Sequence, residues 1–181
     1  MSLRSSILMA AWLCACTSGG VGQPNYILPF PEGQSHAVVQ SFNGQYGHNG
    51  ANAYAYDFSA DAGSPVSAAR AGIVVHVVES NPDAPLRQPQ PGHENLIVID
   101  HGDGTFGRYY HLTLNGADVQ AGQRVAVGQL IGRSGNSGAS FMPHLHFDVA
   151  TGCYEYGCQT ARFAFQGAED DPLVEERMYA R

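Results

Sequence analysis

The pentapeptide PHLHF, residues 143–147, places two histidines one residue apart inside an apolar run. Side chains alternate between the two faces of a β-strand, so this stretch predicts a strand with His144 and His146 on one face and Leu145 and Phe147 on the other. Two interpretations fit such a pair of imidazoles. They are hydrogen-bonded structural histidines, or they belong to a site that binds a metal ion or transfers protons.

The rest of the chain has the composition of a turn-rich β protein. Of its 181 residues, 44% are hydrophobic and 14% are charged, and glycine occurs 22 times. Its length suits one domain with one core. Nine basic against sixteen acidic residues give a formal charge of −7, which argues against nucleic acid as a partner. We predict one all-β domain over residues 28–181, mainly antiparallel and sandwich-like, with few or no helices.

Short apolar runs separated by glycine and proline define the expected strands of this domain. The run 95–112 predicts a hairpin that turns at Asp103 and Gly104. The stretch 81–94 carries four prolines without periodicity and predicts a long surface loop. Further strands are expected within the following segments: 37–42, 53–60, 62–80, 122–138, 143–152 and 161–166.

The first residues have the pattern of a targeting segment. Arg4 precedes an apolar stretch, 7–13, that is too short to span a bilayer but suits a signal peptide. Residues 13–16 resemble the bacterial lipobox, which makes Cys16 the candidate for lipidation. We therefore expect a signal peptide over 1–15, a tether over 16–27, and a protein anchored at the periplasmic face of the cell envelope, with the outer membrane favoured. The alternative is an ordinary signal peptide and a secreted protein.

Two cysteines lie close together near the carboxyl end of the domain. Cys153 and Cys158 are separated by four residues in CYEYGC. In an oxidising compartment, to which an exported protein is exposed, they would form a short disulfide loop. Free thiols, or zinc ligands of a second small site, are the alternatives.

The candidate site residues are polar groups at the ends or on the faces of predicted strands. A catalytic zinc site uses three nitrogen or oxygen ligands and leaves one position for water. The spacing of the candidates leaves a metal site and a chance arrangement equally open. The candidates are His48, Asp57, His111, His144 and His146, whereas we interpret His36, His76, His93 and His101 as structural or exposed histidines.

Five motifs in a fixed order resemble a known family, the lysostaphin/LytM-type peptidoglycan metalloendopeptidases, which are zinc enzymes of the bacterial cell wall. The motifs are GHNGANAYAYDF (47–58), AGSPVSAARAGIVV (62–75), NLIVIDHGDGTFGRYYHL (95–112), GQLIGRSGNSG (128–138) and PHLHFDV (143–149). The resemblance implies the fold of that family and one zinc ion per chain.

The resemblance also implies roles for the candidate residues. His48, Asp57 and His146 would be the zinc ligands, and His111 and His144 would be the two unligated catalytic histidines. In the best-known members the first ligand lies closer to the aspartate, whereas here His48 precedes Asp57 by nine residues. Tyr46 would be a packed loop residue or, by its position, an oxyanion donor.

The implied activity is hydrolysis of peptide cross-links in peptidoglycan by an activated water molecule. His144 or His111 would accept the proton of that water. A lipoprotein signal indicates a diderm bacterium, so the implied bond joins D-alanine to meso-diaminopimelate rather than glycine to glycine. The alternatives are an inactive LytM-like module that activates other wall hydrolases, a secreted general metalloprotease, and a surface lipoprotein with a structural zinc.

Overall fold

The computed structural model describes residues 26–181. The expected signal peptide (1–15), Cys16 and most of the tether (16–27) lie outside the described residues. Within the described part, no helix has the length and apolar character needed to cross a membrane. Tyr26, at the end of the expected tether, is already fully buried and forms a β-bridge with Phe165.

The described chain is built almost entirely of β-strands, which confirms the all-β prediction. Besides the strands it contains one 3-10 helix, Gly50–Asn52. The strands are β1 (Ser35–Gln40), β2 (Ala55–Ser59), β3 (Pro65–Ser67), β4 (Gly72–Val78), β5 (Leu96–Asp100), β6 (Thr105–Tyr110), β7 (Leu112–Ala117), β8 (Arg124–Val125), β9 (Leu130–Ser134), β10 (His144–Thr151) and β11 (Met178–Ala180).

The strands form one large and one small antiparallel sheet. The large sheet has the order β11-β1-β2-β10-β6-β5-β4-β8, and the small sheet has the order β3-β9-β7. Apolar side chains from both sheets join one core. Gly132 in β9 lies so close to β7 that a Cβ atom there would be 2.6 Å from the carbonyl oxygen of Gly116, which explains the absence of a side chain at this contact.

Strand β10 lies inside the large sheet, between β2 and β6. Leu145 and Phe147 are fully buried, whereas the side chains of His144 and His146 are 12% and 14% exposed on the other face. The alternation predicted from the pentapeptide is therefore confirmed. It anchors the strand in the core and leaves its histidines at an accessible surface.

Several predictions about strands in the second half of the chain were incomplete or wrong. The segment 161–166 forms no strand, because its pairing is limited to the isolated β-bridge of Phe165 with Tyr26, and its alternating aromatic residues pack into the core. Phe163, for example, lies 5.4 Å from Phe147 between ring centroids. The last strand is β11, which pairs with β1 and is too short to show a sequence pattern. The segment 122–138 holds two short strands, β8 and β9, and β7 was not predicted.

The hairpin predicted over 95–112 is confirmed. Strands β5 and β6 pair antiparallel from Leu96 opposite Tyr110 to Asp100 opposite Phe106. The turn between them contains Asp103 and Gly104, as expected. The loop predicted over 81–94 likewise contains no strand. The antiparallel pairing of β6 with β10 then places Tyr110, at the end of β6, opposite His146 near the start of β10.

Candidate metal centre and active site

A row of polar residues crosses four neighbouring strands of the large sheet. Gln40 in β1 is in register with Asp57 in β2, Asp57 is opposite His146 in β10, and His146 is opposite Tyr110 in β6. Residues in register on adjacent strands point to the same face. The row therefore collects chemically active side chains from distant parts of the chain.

Three of the predicted ligands converge at one point of this row. Nε2 of His48 lies 3.2 Å from Oδ1 of Asp57 and 3.3 Å from Nδ1 of His146. Nδ1 of His146 lies 2.9 Å from the same Asp57 oxygen. Zinc ligands arranged tetrahedrally at about 2.0–2.2 Å from the metal are roughly 3.3 Å apart. The three atoms therefore fit a single zinc ion.

The remaining nitrogen of each ligand histidine has a hydrogen-bond acceptor. Nδ1 of His48 donates to the carbonyl oxygen of Ser41 at 2.9 Å, which leaves Nε2 facing Asp57. Nε2 of His146 lies 3.3 Å from Oδ2 of Asp148, which leaves Nδ1 facing Asp57. Such outer acceptors are typical of metal-binding histidines, because they fix the tautomer and the orientation of the ring.

An excursion of the backbone allows His48 to reach Asp57 across nine residues. The chain leaves the sheet after Gln40, passes through His48, forms the 3-10 helix Gly50–Asn52 and returns at β2. The excursion is held from two sides, since Ala53 O accepts from the N–H of Asn43 at 2.8 Å and Ala51 O accepts from the N–H of Thr160 at 2.7 Å. The nine-residue spacing between His48 and Asp57 is thus accommodated by this loop, and the strands keep their register.

The two other candidate histidines lie beside the ligand group. The rings of His111 and His144 are 4.6 Å apart between centroids, and Nε2 of His144 is 3.5 Å from Oδ1 of Asp57. His111 follows β6 with a left-handed φ of 63°, a bend that turns its ring toward β10.

Both rings are oriented by main-chain carbonyl groups. Nδ1 of His111 donates to Ser137 O at 2.8 Å, and Nδ1 of His144 donates to Met142 O at 2.8 Å. In the neutral ring each Nε2 atom therefore carries a free lone pair. The two histidines can accept a proton next to the ligand group.

The charges of the site favour a cation. Burial alone would lower the pKa of His146, but its contacts with Asp148 and Asp57 outweigh burial and raise this pKa to about 9. Burial would raise the pKa of Asp57, but the contacts from His146 and His48 hold it well below its ordinary value. Without a metal, a protonated His146 thus lies between two carboxylates.

The pKa of His111 is shifted in the opposite direction. Burial lowers its pKa most, and the neighbouring imidazoles of His144 and His146 lower it further, to about 3. The ring is therefore neutral at physiological pH, with the lone pair of Nε2 available.

The histidines interpreted as structural or exposed lie outside the site. His36 stacks on Phe30 with centroids 3.6 Å apart, Nδ1 of His101 donates to Ala71 O at 2.9 Å, and His76 and His93 are exposed. Tyr46 is not packed, since 79% of its surface is exposed. Its main chain, rather than its ring, is held by the side chain of Gln40.

The structure pairs Cys153 with Cys158 in a disulfide, as predicted, so these thiols are not ligands of a second zinc site.

Sequence reasoning missed three polar residues around the ligands, namely Gln40, Arg108 and Asp148. The period of two along β10 places Asp148 on the face of His146 and could have indicated it. Gln40 and Arg108 depend on strand pairing.

The model of Peptidase family M23 matches residues 51–157, more than half of the chain. The match contains four of the five candidate residues and begins three residues after His48.

Two proteins of known activity resemble the same region. The glycyl-glycine endopeptidase ALE-1 of Staphylococcus capitis is 36% identical over 108 residues, which are 60% of this chain and 27% of that protein. The peptidoglycan DD-endopeptidase ShyA of Vibrio cholerae is 36% identical over 102 residues, 56% of this chain and 20% of that protein. The chain thus spans about a quarter of the length of these relatives, or less.

A solved structure agrees with the fold. A zinc-containing peptidase from Vibrio cholerae superimposes with a TM-score of 0.52 and 26% identity, covering 72% of this chain and 38% of that one. Pseudoalterin, described as an M23 metalloprotease from the deep sea, gives a TM-score of 0.58 at 19% identity over 87% of this chain and 98% of that one, which concerns the fold alone.

Proposed function

The chain belongs to Peptidase family M23, and on that premise we propose that it is a zinc-dependent endopeptidase that hydrolyses peptide cross-links of bacterial peptidoglycan. One observation carries the proposal. The ligand atoms of His48, Asp57 and His146 lie within 3.3 Å of one another, and two further histidines with free Nε2 atoms stand beside them. A structural zinc site would need a fourth protein ligand instead.

Each residue has a role in this proposal. His48, Asp57 and His146 would hold the zinc ion, which when bound polarises the scissile carbonyl and lowers the pKa of the attacking water. His144 and His111 would serve the proton transfers through Nε2. The ring that takes the proton of the water can later give it to the leaving amine. The other ring can stabilise the oxyanion when its Nε2 is protonated, because only an N–H group can donate to that oxygen.

The substrate we propose is the cross-link between D-alanine and meso-diaminopimelate. The two relatives are equally similar to this chain, although one is named a DD-endopeptidase and the other a glycyl-glycine endopeptidase. The lipobox-like start of the sequence supports the diderm type of cross-link. Peptidoglycan peptides would then be the partner, and nucleic acid would not.

We also propose export to the periplasmic face of the cell envelope, with anchoring through a lipidated Cys16. The disulfide between Cys153 and Cys158 supports an oxidising compartment. Metabolic labelling with a fatty-acid analogue, compared between the natural chain and Cys16→Ser, tests the anchor. Equal labelling of both would contradict it.

The activity is tested on the purified protein in two steps. Bound zinc is quantified, and the protein is then incubated separately with diaminopimelate-type and pentaglycine-bridged peptidoglycan, with released muropeptides identified by mass spectrometry. We expect one zinc per chain and new peptide ends at the D-alanine–diaminopimelate bond. Zinc without cleavage of either substrate would contradict the endopeptidase, and the absence of both would favour an activator of other wall hydrolases.

A further inference from the structure

A buried ion pair lies beside the candidate metal centre, on the same face of the sheet, and the proposed mechanism does not use it. Arg108 in β6 and Asp148 in β10 are opposite each other in register and are each only 1% exposed. Their contact is bidentate, with Nε to Oδ1 at 2.6 Å and Nη2 to Oδ2 at 2.9 Å. A pair of charges removed from water contributes little net stability, so its presence calls for another explanation.

The pair touches a ligand of the candidate metal centre. Oδ2 of Asp148, the oxygen bound by Nη2 of Arg108, also lies 3.3 Å from Nε2 of His146. The guanidinium of Arg108 lies over the ring of Tyr110 at 5.6 Å, and that ring meets the edge of His146 with centroids 5.4 Å apart. The His146 ring is thus held at its outer nitrogen and along one side.

The pair is in turn fastened to the disulfide loop, residues 153–158. Nη1 of Arg108 donates to Glu155 O at 3.0 Å and lies 3.4 Å from Tyr154 O. Both carbonyl groups lie inside the loop closed by Cys153 and Cys158. An unbroken series of contacts therefore runs from the disulfide through Arg108 and Asp148 to His146.

We propose that Asp148 and Arg108 are positioning residues that fix the His146 ring with Nδ1 toward the metal, and that the disulfide loop anchors Arg108. The inference rests on the proposed metal centre. Its physical basis is that a carboxylate held in place by a fork of N–H groups is a rigid acceptor, so the histidine does not have to be ordered when the metal binds.

Zinc affinity tests the proposal. It is measured on the full chain by competition with a chromogenic chelator and compared on the plateau above about pH 9, where no proton has to leave His146. Asp148→Asn keeps the size of the side chain but removes its charge, and we expect zinc to bind about 10–100-fold more weakly. Asp103→Asn is the matched control, because that carboxylate pairs with Arg70 at the other end of β6 and touches no ligand. Its zinc affinity should equal that of the natural protein.

Two further variants guard against loss of folding. Asp148→Asn leaves the Arg108 charge buried, whereas the double variant Arg108→Met with Asp148→Leu removes both charges and should fold. We expect it to bind zinc as weakly as Asp148→Asn. Replacing both loop cysteines by serine should also weaken zinc binding, but several-fold less than Asp148→Asn does. Only the anchor of Arg108 is loosened in that variant.

A second measurement separates positioning from general stability. In the zinc-loaded natural protein, the His146 Nε2–H proton should be visible by NMR and protected from exchange with solvent, and this protection should be lost in the double variant even where its melting temperature is unchanged. Natural affinity in both Asp148 variants would overturn the inference. Failure of the natural protein itself to bind zinc would instead overturn the proposed function.

Discussion

Asp57 and His146 face each other across β2 and β10 with 2.9 Å between Oδ1 and Nδ1, although they are 89 residues apart in the chain. Their contact is set by strand register, since a shift of one residue would turn either side chain to the core. The geometry of the candidate metal centre is therefore a property of the sheet. His48 and the two unligated histidines are added from the loops around it.

The paired histidines of β10 are expected to differ in function. His146→Ala removes a ligand and should abolish stoichiometric zinc binding. His144→Ala should keep the zinc and lower turnover about 10²–10⁴-fold, the usual contribution of a proton-transfer group. Zinc content by mass spectrometry and the rate of cross-link hydrolysis check both. His76→Ala, an exposed strand histidine, is the control and should change neither quantity; equal loss of zinc from both β10 variants would contradict the division of roles.

Zinc binding should release a proton at neutral pH. In the metal-free protein the contacts with Asp148 and Asp57 outweigh burial and raise the pKa of His146 to about 9, so its Nδ1 is protonated at pH 7 and must lose that proton before it can bind zinc. Apparent zinc affinity should therefore rise about tenfold per pH unit between pH 7 and pH 9 and then level off.

Titration calorimetry in buffers of different ionisation enthalpy measures this release directly. We expect about one proton per zinc at pH 7 from this group. Asp148→Asn should release less, because one of the two carboxylates that raise the His146 pKa is gone. A release that is independent of both pH and this substitution would contradict the protonated state of His146.

His111 should make the metal-free protein sensitive to acid. Burial and the neighbouring imidazoles lower its pKa in the folded protein to about 3, whereas the unfolded value is near 6.5. Between these values the unfolded chain binds a proton that the folded protein does not, so stability is present above pH 6.5 and falls as the pH drops toward 3. The loss from this group would reach about 5 kcal/mol at most, since about 3.5 pKa units separate the two values.

Urea unfolding with a chelator present, from pH 7 to pH 4, measures that loss. His111→Gln is the comparison, since glutamine does not titrate. We expect the free energy of unfolding of this variant to fall less steeply with acid than that of the natural protein. Parallel pH profiles would show that His111 does not contribute.

The buried face of β10 should dominate its stability. Leu145→Ala removes a fully buried side chain and should lower the free energy of unfolding by about 2–5 kcal/mol. Leu114→Ala in β7, where the leucine is 45% exposed, should change it by about 0.5 kcal/mol or less. Chemical denaturation of both variants measures these free energies. Equal losses in the two variants would contradict the expectation that the buried face of β10 dominates its stability.

Much of the candidate site could be predicted from the sequence because its residues lie in motifs of fixed order. The paired histidines of β10 and Asp57, within the apolar run 53–60, are recognisable locally, and the structure brings them together. The hairpin ending at His111 was also predictable, since its two strands are long and separated by a glycine turn.

The parts that could not be predicted depend on pairing between distant strands. Arg108 becomes a partner of Asp148 only through the register of β6 with β10. Strand β11 forms because it pairs with β1, and its own three residues are too few to predict a strand. The segment between His48 and Asp57 is held in part by a hydrogen bond from Thr160, far along the chain, which no local pattern indicates.

The long sequence separations across the sheet have a consequence for folding. The contacts of His146 with Asp57 and with His48 close loops of 89 and 98 residues, so neither can form early, and a topology dominated by such contacts folds slowly. A newly made, still unfolded chain has its ligand atoms scattered and cannot hold a metal between them. The proposed hydrolytic activity would therefore appear in one step, when β10 inserts between β2 and β6, and a partly folded chain would be harmless to the polymer that we propose as substrate.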